Sequence, residues 1–511
     1  MASVNKSKKS RLVEKKLALF GKHSYFCTKT DKLKLMETLQ HFMAVDLGAT
    51  SGRTIVGTLD PQGRLSLQEL TRFANPIIKT GGRFYWDIFA LYGHVVDALR
   101  KAADSNIRLT SIGIDSWGVD FALVGNDGAL LRNPRCYRDP HTEGIMDAFF
   151  ENVMPRETLY EKTGIQLMNI NTLFQLYAMR RNGDDALGAA RKLLFIPDAM
   201  AYMLTGETVC EQTIMSTSQL MNAHTRQLDP DLARAVGISP TMMGRPVRPG
   251  DIIGTLTDEV QQLSGAPAIN VVAVAGHDTA SAVTAVPAAD NRFAYLSCGT
   301  WSLLGIETPE PIINERSLAD NFTNEGGADG NTRFLKNICG LWLLEQCRKE
   351  WHDAPQSVAQ LADDAMTAPA LQSVINPDDP RFANPESMTR AIANYCRETN
   401  QPVPQDYRQT ARCIFESLAL RYKEVVERLR TYAPFPIERL HVIGGGSQNR
   451  HLMQMTADCL DMPVMAGPVE GTAIGNIMMQ TKAAGIVENL QQMRQMIADN
   501  IQPKIYTPHH G

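Results

Sequence analysis

No stretch of the chain reaches the ~18 consecutive apolar residues needed to span a bilayer, so no membrane-embedded activity is expected. Disulfide architecture is also missing. The nine cysteines are scattered, odd in number and never spaced C-x-x-C. This excludes a zinc ribbon and a disulfide framework and suits reduced thiols in the cytoplasm. Neither sign of charge dominates, with a formal net charge of −4, so a nucleic-acid or anionic-membrane surface is not expected. Both G-x-x-x-x-G-K-[ST] and G-x-G-x-x-G are absent, which removes the P-loop and the dinucleotide fingerprint. What remains is an ordinary soluble composition, 44% hydrophobic and 21% charged over 511 residues. That is length enough for two or more domains, each with its own core.

One segment stands apart. The first 35 residues are rich in lysine, and Glu14 and Asp31 are their only acids. The bland interpretation is a solvated tail, or translation begun upstream of Met36 or Met43. The alternative is a basic extension for a polyanion or an import machinery. The continuous apolar core of a secretory signal is lacking. Residues 1–40 are therefore set aside as an extension.

From residue 41 the chain alternates strands, glycine turns and helices. Phe42–Val45 and Thr54–Leu59 read as strands joined by a turn in which Gly48 and Gly52 permit positive φ. "DPQGR" then turns the chain into a third strand. Leu91, Val95, Val96 and Leu99 predict a helix over 91–103, and "LTSIGIDSWGVDFALV" returns as a strand. Three antiparallel strands, a helix and a further strand match the opening of a ribonuclease-H-like unit rather than a Rossmann sheet. A second apolar hairpin turning on Gly299 follows in "RFAYLSCGTWSLLGIE". This faint repeat places a boundary in "AVPAADN", giving domains of 41–288 and 289–503. A long amphipathic helix is predicted over 409–432, followed by a buried strand and three glycines in "LHVIGGGSQN".

Three glycine turns and one aspartate carry the chemistry. In Asp46-Leu47-Gly48-Ala49-Thr50-Ser51-Gly52-Arg53 the tight turn can aim backbone N–H groups at an anion, with Thr50, Ser51 and Arg53 adding donors. Asp46 cannot meet phosphate directly but suits a hydrated Mg²⁺. A plain hairpin with a capping Asp explains the glycines, yet not Asp, Thr, Ser and Arg within eight residues. The Gly299–Thr300 turn repeats the logic, and Gly444-Gly445-Gly446 lets a ligand touch the main chain. His277-Asp278 interrupts the small apolar run "VAGHDTASAV". Asp278 is either a helix cap or a base facing a γ-phosphate across a small polar substrate.

In order and spacing these stretches resemble the FGGY carbohydrate kinases over Phe42–Pro503. The resemblance is carried by "AVDLGATSGR", "SIGIDSWGVDFALV", "GHDTASAV", "YLSCGTWSLLGIE", "LKNICGLWLLEQ", "HVIGGGSQN" and "GPVEGTAIGN". It implies an actin-like ATPase fold, α/β, with two ribonuclease-H-like domains around a cleft. It implies transfer from MgATP to O1 of L-rhamnulose, with Asp278 as proton acceptor and small molecules as the only partners. His277, Thr279, Gly118 and Asn337 would meet the sugar. Ala49, Thr50, Ser51, Gly52, Arg53 and Thr300 would hold the phosphates, Gly445 would line the nucleotide site, and Asp46 would sit near the metal. Glu345 falls at a nucleotide-contacting position where members often carry Gln, and a carboxylate there is unfavourable unless metal-bound or turned away. L-Fuculose, a pentulose or glycerol remain alternative acceptors, to be told apart by Trp117, Gly118, Asp120 and Asn337. A non-catalytic nucleotide sensor is the alternative from another class; Asp278 argues against it. The oligomeric state, including a monomer, stays open.

Overall fold

The computed structural model describes residues 38–509; the basic extension, apart from its last three residues, lies outside them. The first sheet contains β1 (Gln40–Leu47), β2 (Ser51–Leu59), β3 (Leu65–Ala74), β4 (Leu109–Ser116), β5 (Ile252–Thr255) and β6 (Asn270–Val272), in the order β5-β6-β4-β1-β2-β3. β1–β2–β3 is an antiparallel meander, while β4 runs parallel to β1 and β6 parallel to β4. β1 is buried from Phe42 to Leu47, as its near-continuous apolar run requires for a strand covered on both faces.

The second sheet repeats this plan. It contains β7 (Phe293–Cys298), β8 (Trp301–Thr308), β9 (Thr323–Gly326), β10 (Thr332–Cys339), β11 (Arg439–Ile443), β12 (Val464–Ala466) and β13 (Lys504–Tyr506), in the order β9-β10-β8-β7-β11-β12-β13. With β9 and β13 set aside as edge additions, β10-β8-β7-β11-β12 reproduces β3-β2-β1-β4-β6 in order and direction. Both units therefore have the ribonuclease-H-like topology that the hairpins suggested, and the fold is the α/β pair of an actin-like ATPase. β13 lies beyond the expected limit at 503.

Five helices matter for the site. α1 (Ile88–Asp104) is capped by Asp87 and covers the first sheet with Leu91, Val95 and Leu99, as the periodicity indicated. α2 (Asp278–Thr284) follows β6. α3 (Trp342–Glu350) follows β10. α4 (Tyr407–Arg430) starts on its Asp406 cap, two residues before the predicted 409, and buries Phe415, Leu418, Tyr422 and Val425 in the second core. α5 (Gly471–Ala483) follows β12 as α2 follows β6. It belongs in sequence to the second unit but lies on the first sheet. A Cβ on Gly57 would come within 2.6 Å of Ile477, and one on Gly113 within 2.6 Å of Asn476. Polar bonds fix this docking: Ser111 Oγ donates to Gln480 Oε1 (2.7 Å) and Asn476 Nδ2 to Asp115 Oδ2 (2.6 Å). α5 also crosses α2 at Gly475, where a Cβ would stand 1.7 Å from the Ser281 carbonyl oxygen.

Between β4 and β5 an insertion of short helices builds its own core around Phe149, Phe174, Leu193 and Phe195. Among the described residues no helix is long and apolar enough to cross a membrane.

Candidate active site

The carboxyl ends of the parallel strands in both units face one another across a cleft of about 340 Å³. This is where an open α/β sheet places ligands. Three corresponding places in each unit supply its walls: the β1–β2 and β7–β8 turns, the segments after β4 and β11, and the helices after β6 and β12.

The β1–β2 turn is held from behind. Asn75 donates its backbone N–H to Thr50 O and its Nδ2 to Gly48 O, both at 3.0 Å, and Gly48 N–H closes on Ser51 O. The N–H groups of Ala49 and Thr50 have no protein acceptor among the described residues, so the turn presents donors to the cleft as an anion nest does. The glycines serve a purpose other than the expected one. Neither Gly48 nor Gly52 has positive φ. A Cβ at Gly48 would press on Ser51 O at 2.8 Å, and one at Gly52 would enter the Phe73 ring at 2.3 Å. Gly52 is buried and does not line the cleft; its contribution is to let β3 close against the turn.

The β7–β8 turn presents Thr300, and its carbonyls at Gly299 and Thr300 accept the N–H groups of Leu341 and Trp342 at the start of α3. Of the three glycines after β11, Gly444 has φ +90° and Gly446 packs on Cys298, whereas a Cβ at Gly445 would meet nothing within 4 Å. Gly445 opens on the cleft beside Gly444.

Asp278 occupies the first turn of α2; the cap position is His277, which makes no side-chain cap bond. Its Oδ1 accepts from Thr279 N–H (2.6 Å) and Thr279 Oγ1 (3.2 Å), and 32% of its side chain is exposed to the cleft. Burial raises its pKa and the Asp46 charge adds to that, against the opposing effect of His277. His277 lies beside it, Nε2 at 3.5 Å from Oδ1, and its Nδ1 faces Glu325 Oε2 (3.2 Å) and Arg333 Nη2 (3.1 Å). The imidazole is thus oriented by β9 and β10 of the other unit. Burial opposes the charge on Glu325, but Arg333, His277 and Asn337 outweigh it and hold its pKa below the usual value.

Asp46 and Arg53 face each other across the hairpin, with Arg53 Nε and Nη2 both on Asp46 Oδ2 at 3.0 and 2.9 Å. Arg53 Nη1 pairs with Glu470, just ahead of α5. Beneath them Asp115 is fully buried, with Oδ1 unpartnered. Its pKa is driven well up by burial and by Asp46.

The cleft therefore gathers Asp46, Ala49, Thr50, Ser51, Arg53, Gly118, His277, Asp278, Thr279, Thr300, Asn337 and Gly445 from their scattered positions. Two expected residues do not line it: Gly52, and Glu345, which pairs with Arg348 at 2.8 Å on the exposed side of α3. Gly118 abuts Thr217, 3.0 Å from where a Cβ would stand, so packing accounts for the glycine. Asp120 is buried below the cleft wall and meets its lining residues from behind. Sequence reasoning missed Gln166, whose Oε1 takes the Asn337 N–H at 2.9 Å and Nδ2 at 3.1 Å. It also missed Glu325, Arg333, Glu470 and Thr323, whose buried hydroxyl lines the cleft without a partner. Gln166 and Glu325 lie within "GIQLMNINTLFQL" and "NFTNEGGADG", two further stretches that resemble the family, and that resemblance is the signal that could have found them.

Comparison with known proteins identifies the family. Residues 41–285 match the FGGY family of carbohydrate kinases, N-terminal domain, and 294–484 its C-terminal domain. A rhamnulokinase of Bacteroides thetaiotaomicron is 57% identical over 92% of this chain and 96% of that protein. One of Pectobacterium atrosepticum is 44% identical over 92% and 93%. The crystal structure of gluconate kinase from Lactobacillus acidophilus superposes with a TM-score of 0.76 at 16% identity, over 92% and 94% of the two chains, a likeness of fold. With both halves matched and close relatives aligned over nine-tenths of its length, the chain belongs to the FGGY family of carbohydrate kinases and is an ATP-dependent sugar kinase.

Proposed function

We propose that the enzyme is a rhamnulokinase, moving the γ-phosphoryl group of ATP to O1 of L-rhamnulose. The observation that carries the mechanism is the cleft-facing carboxylate of Asp278, which bonds no arginine as Asp46 and Glu325 do, set between two turns that offer N–H and hydroxyl donors. Asp278 takes the proton of the C1 hydroxyl as that oxygen forms its bond to phosphorus and the bond to the β-phosphate oxygen breaks. Ala49, Thr50 and Thr300 receive the phosphate charge, and the main chain at Gly445 gives the nucleotide room. His277, Thr279, Asn337 and Gly118 face the sugar, the first held by Glu325 and the third by Gln166. The names of the relatives support L-rhamnulose as the ketose.

Mg²⁺ fits the donor set. Among the described residues no cluster of three or more metal-ligating side chains occurs, as suits an ion that keeps its waters and leans on phosphate oxygens. Both Arg53 bonds fall on Asp46 Oδ2, so Oδ1 is the oxygen that would hold such an ion through water. When bound, the ion neutralises charge on the phosphates. The eight described cysteines are free, which supports a cytoplasmic enzyme.

The test is a coupled kinase assay over L-rhamnulose, L-fuculose, L-ribulose, D-xylulose and glycerol. L-Rhamnulose is expected to give the highest kcat/KM, with ADP formed only when sugar is present. Sugar-independent ADP release, or none with any acceptor, overturns the reading. Thr300→Ala is expected to raise KM for ATP and leave KM for the ketose.

A further inference from the structure

We propose that Asp120 is a positioning residue for ketose selection: by engaging the Trp117 indole N–H, it keeps that donor out of the cleft and leaves the Trp117 ring carbons as the lining, a surface suited to the methyl terminus of a 6-deoxyketose. The inference rests on the ketose-kinase reading above and specifies how its site selects.

Asp120 lies just past β4, 1% exposed. Four donors converge on it. Trp86 Nε1 (2.6 Å), Trp117 Nε1 (3.0 Å) and Tyr137 N–H (3.1 Å) all reach Oδ2, and Gln175 Nε2 reaches Oδ1 (2.9 Å). Trp117 and Tyr137 line the cleft together with Ile165, Met168 and Ile170, while Trp86 backs Trp117 with ring centroids 4.5 Å apart. A sugar hydroxyl placed against the Trp117 face loses water and gains no partner there; a methyl group loses nothing. Asp120 satisfies four buried donors, and an apolar residue there would leave all four unpaired. Its chemical effect is the removal of one donor from the wall. Burial raises its pKa to about 6 against the four bonds, so the carboxylate is ionised in an assay at pH 8.

The test compares kcat/KM for L-rhamnulose and for L-fructose, which differs by one added hydroxyl at C6, at pH 8. The wild-type enzyme is expected to favour the deoxy sugar by about tenfold or more. Asp120→Asn leaves one uncharged acceptor oxygen for four donors, which weakens the hold on the indole N–H; it is expected to bring the ratio toward unity through KM for the ketose, with KM for ATP unchanged and the tryptophan emission shifted. Trp117→Phe has no N–H and is expected to keep the preference, and to restore it in the double variant with Asp120→Asn. Should the Asp120 variants fail to fold, Trp117→Gln, which puts a donor in the same wall, is expected to lose the preference that Trp117→Phe keeps. An unchanged ratio in Asp120→Asn, equal use of the two sugars by the wild type, or equal ratios in Trp117→Gln and Trp117→Phe overturns the inference. A wild-type enzyme that leaves L-rhamnulose untouched while phosphorylating another acceptor overturns instead the function on which it rests.

Discussion

Asp278 has a pKa raised by burial at the head of α2, and this sets catalysis against stability. A raised folded-state pKa contributes stability that is complete below the unfolded value and lost as pH rises through the folded one. That contribution is lost in the wild type once Asp278 ionises, which is the form a general base needs. Asp278→Asn cannot ionise and is expected to melt higher at neutral pH, while kcat falls by about 10² or more and both ligands still bind. Calorimetry with single-turnover kinetics checks both halves, and near-normal turnover removes Asp278 from the mechanism. By the same sign, kcat/KM of the wild type should fall on acidification with a midpoint above the ordinary carboxylate value. Arg53 invites a second test. Held by Asp46 and Glu470, it meets ATP as an already paired cation. Glu470→Gln is expected to lower KM for ATP by roughly two- to fivefold, the scale of a partly exposed ion pair; an unchanged KM means Arg53 does not meet the phosphates. Asp278 and the Ala49–Ser51 turn were legible because their residue types contradict a plain hairpin or apolar run. Glu470, Gln166 and Arg333 were not, since each acts on a partner from a distant part of the chain and no local pattern marks it.

The elements themselves were largely readable. Periodicity located α1 and α4 to within a few residues, and the Gly299 turn marked β7 and β8. The role of α5 was hidden, because "GTAIGNIMMQTKA" is buried almost all round and shows no polar face to orient it. Its glycines have meaning only in contact: Gly475 lets α5 rest on the backbone of α2 at Ser281. Since α2 carries Asp278 in its first turn, this crossing fixes the height of the base in the cleft. Gly475→Ala forces a Cβ into backbone that cannot rotate away, and should cost about 1–3 kcal/mol or more. Denaturant melts should show that loss. Turnover should fall further than stability at a temperature where the variant is fully folded. A variant that is destabilised but turns over normally means that α2 is held by other contacts.

At the scale of the molecule, two copies of one topology meet with their ligand-binding ends facing, and their contacts fall into two groups. α5 on the first sheet and α2 beneath it form a buried joint. At the cleft edge the contacts are hydrogen bonds from the insertion to β9 and β10: Asn324 N–H to Gly164 O (2.9 Å) and Asn337 N–H to Gln166 Oε1 (2.9 Å). A joint of close-packed helices with polar contacts across the opening is the arrangement that permits rigid lobes to rotate. Rotation is needed, because Asp278 is still 32% exposed and water reaching the γ-phosphate would compete with the sugar. In the proposed site, sugar at His277 and Asn337 would touch both lobes, and so would a triphosphate spanning Thr50 and Thr300. Each ligand therefore favours the closed form, and each should tighten the other. Small-angle scattering is expected to show a smaller radius of gyration with L-rhamnulose and a non-hydrolysable ATP analogue together than with either alone. Titration calorimetry should show the same fold-gain in affinity whichever ligand is added first. Independent binding, with no compaction in the ternary complex, means that the lobes already stand in their working positions.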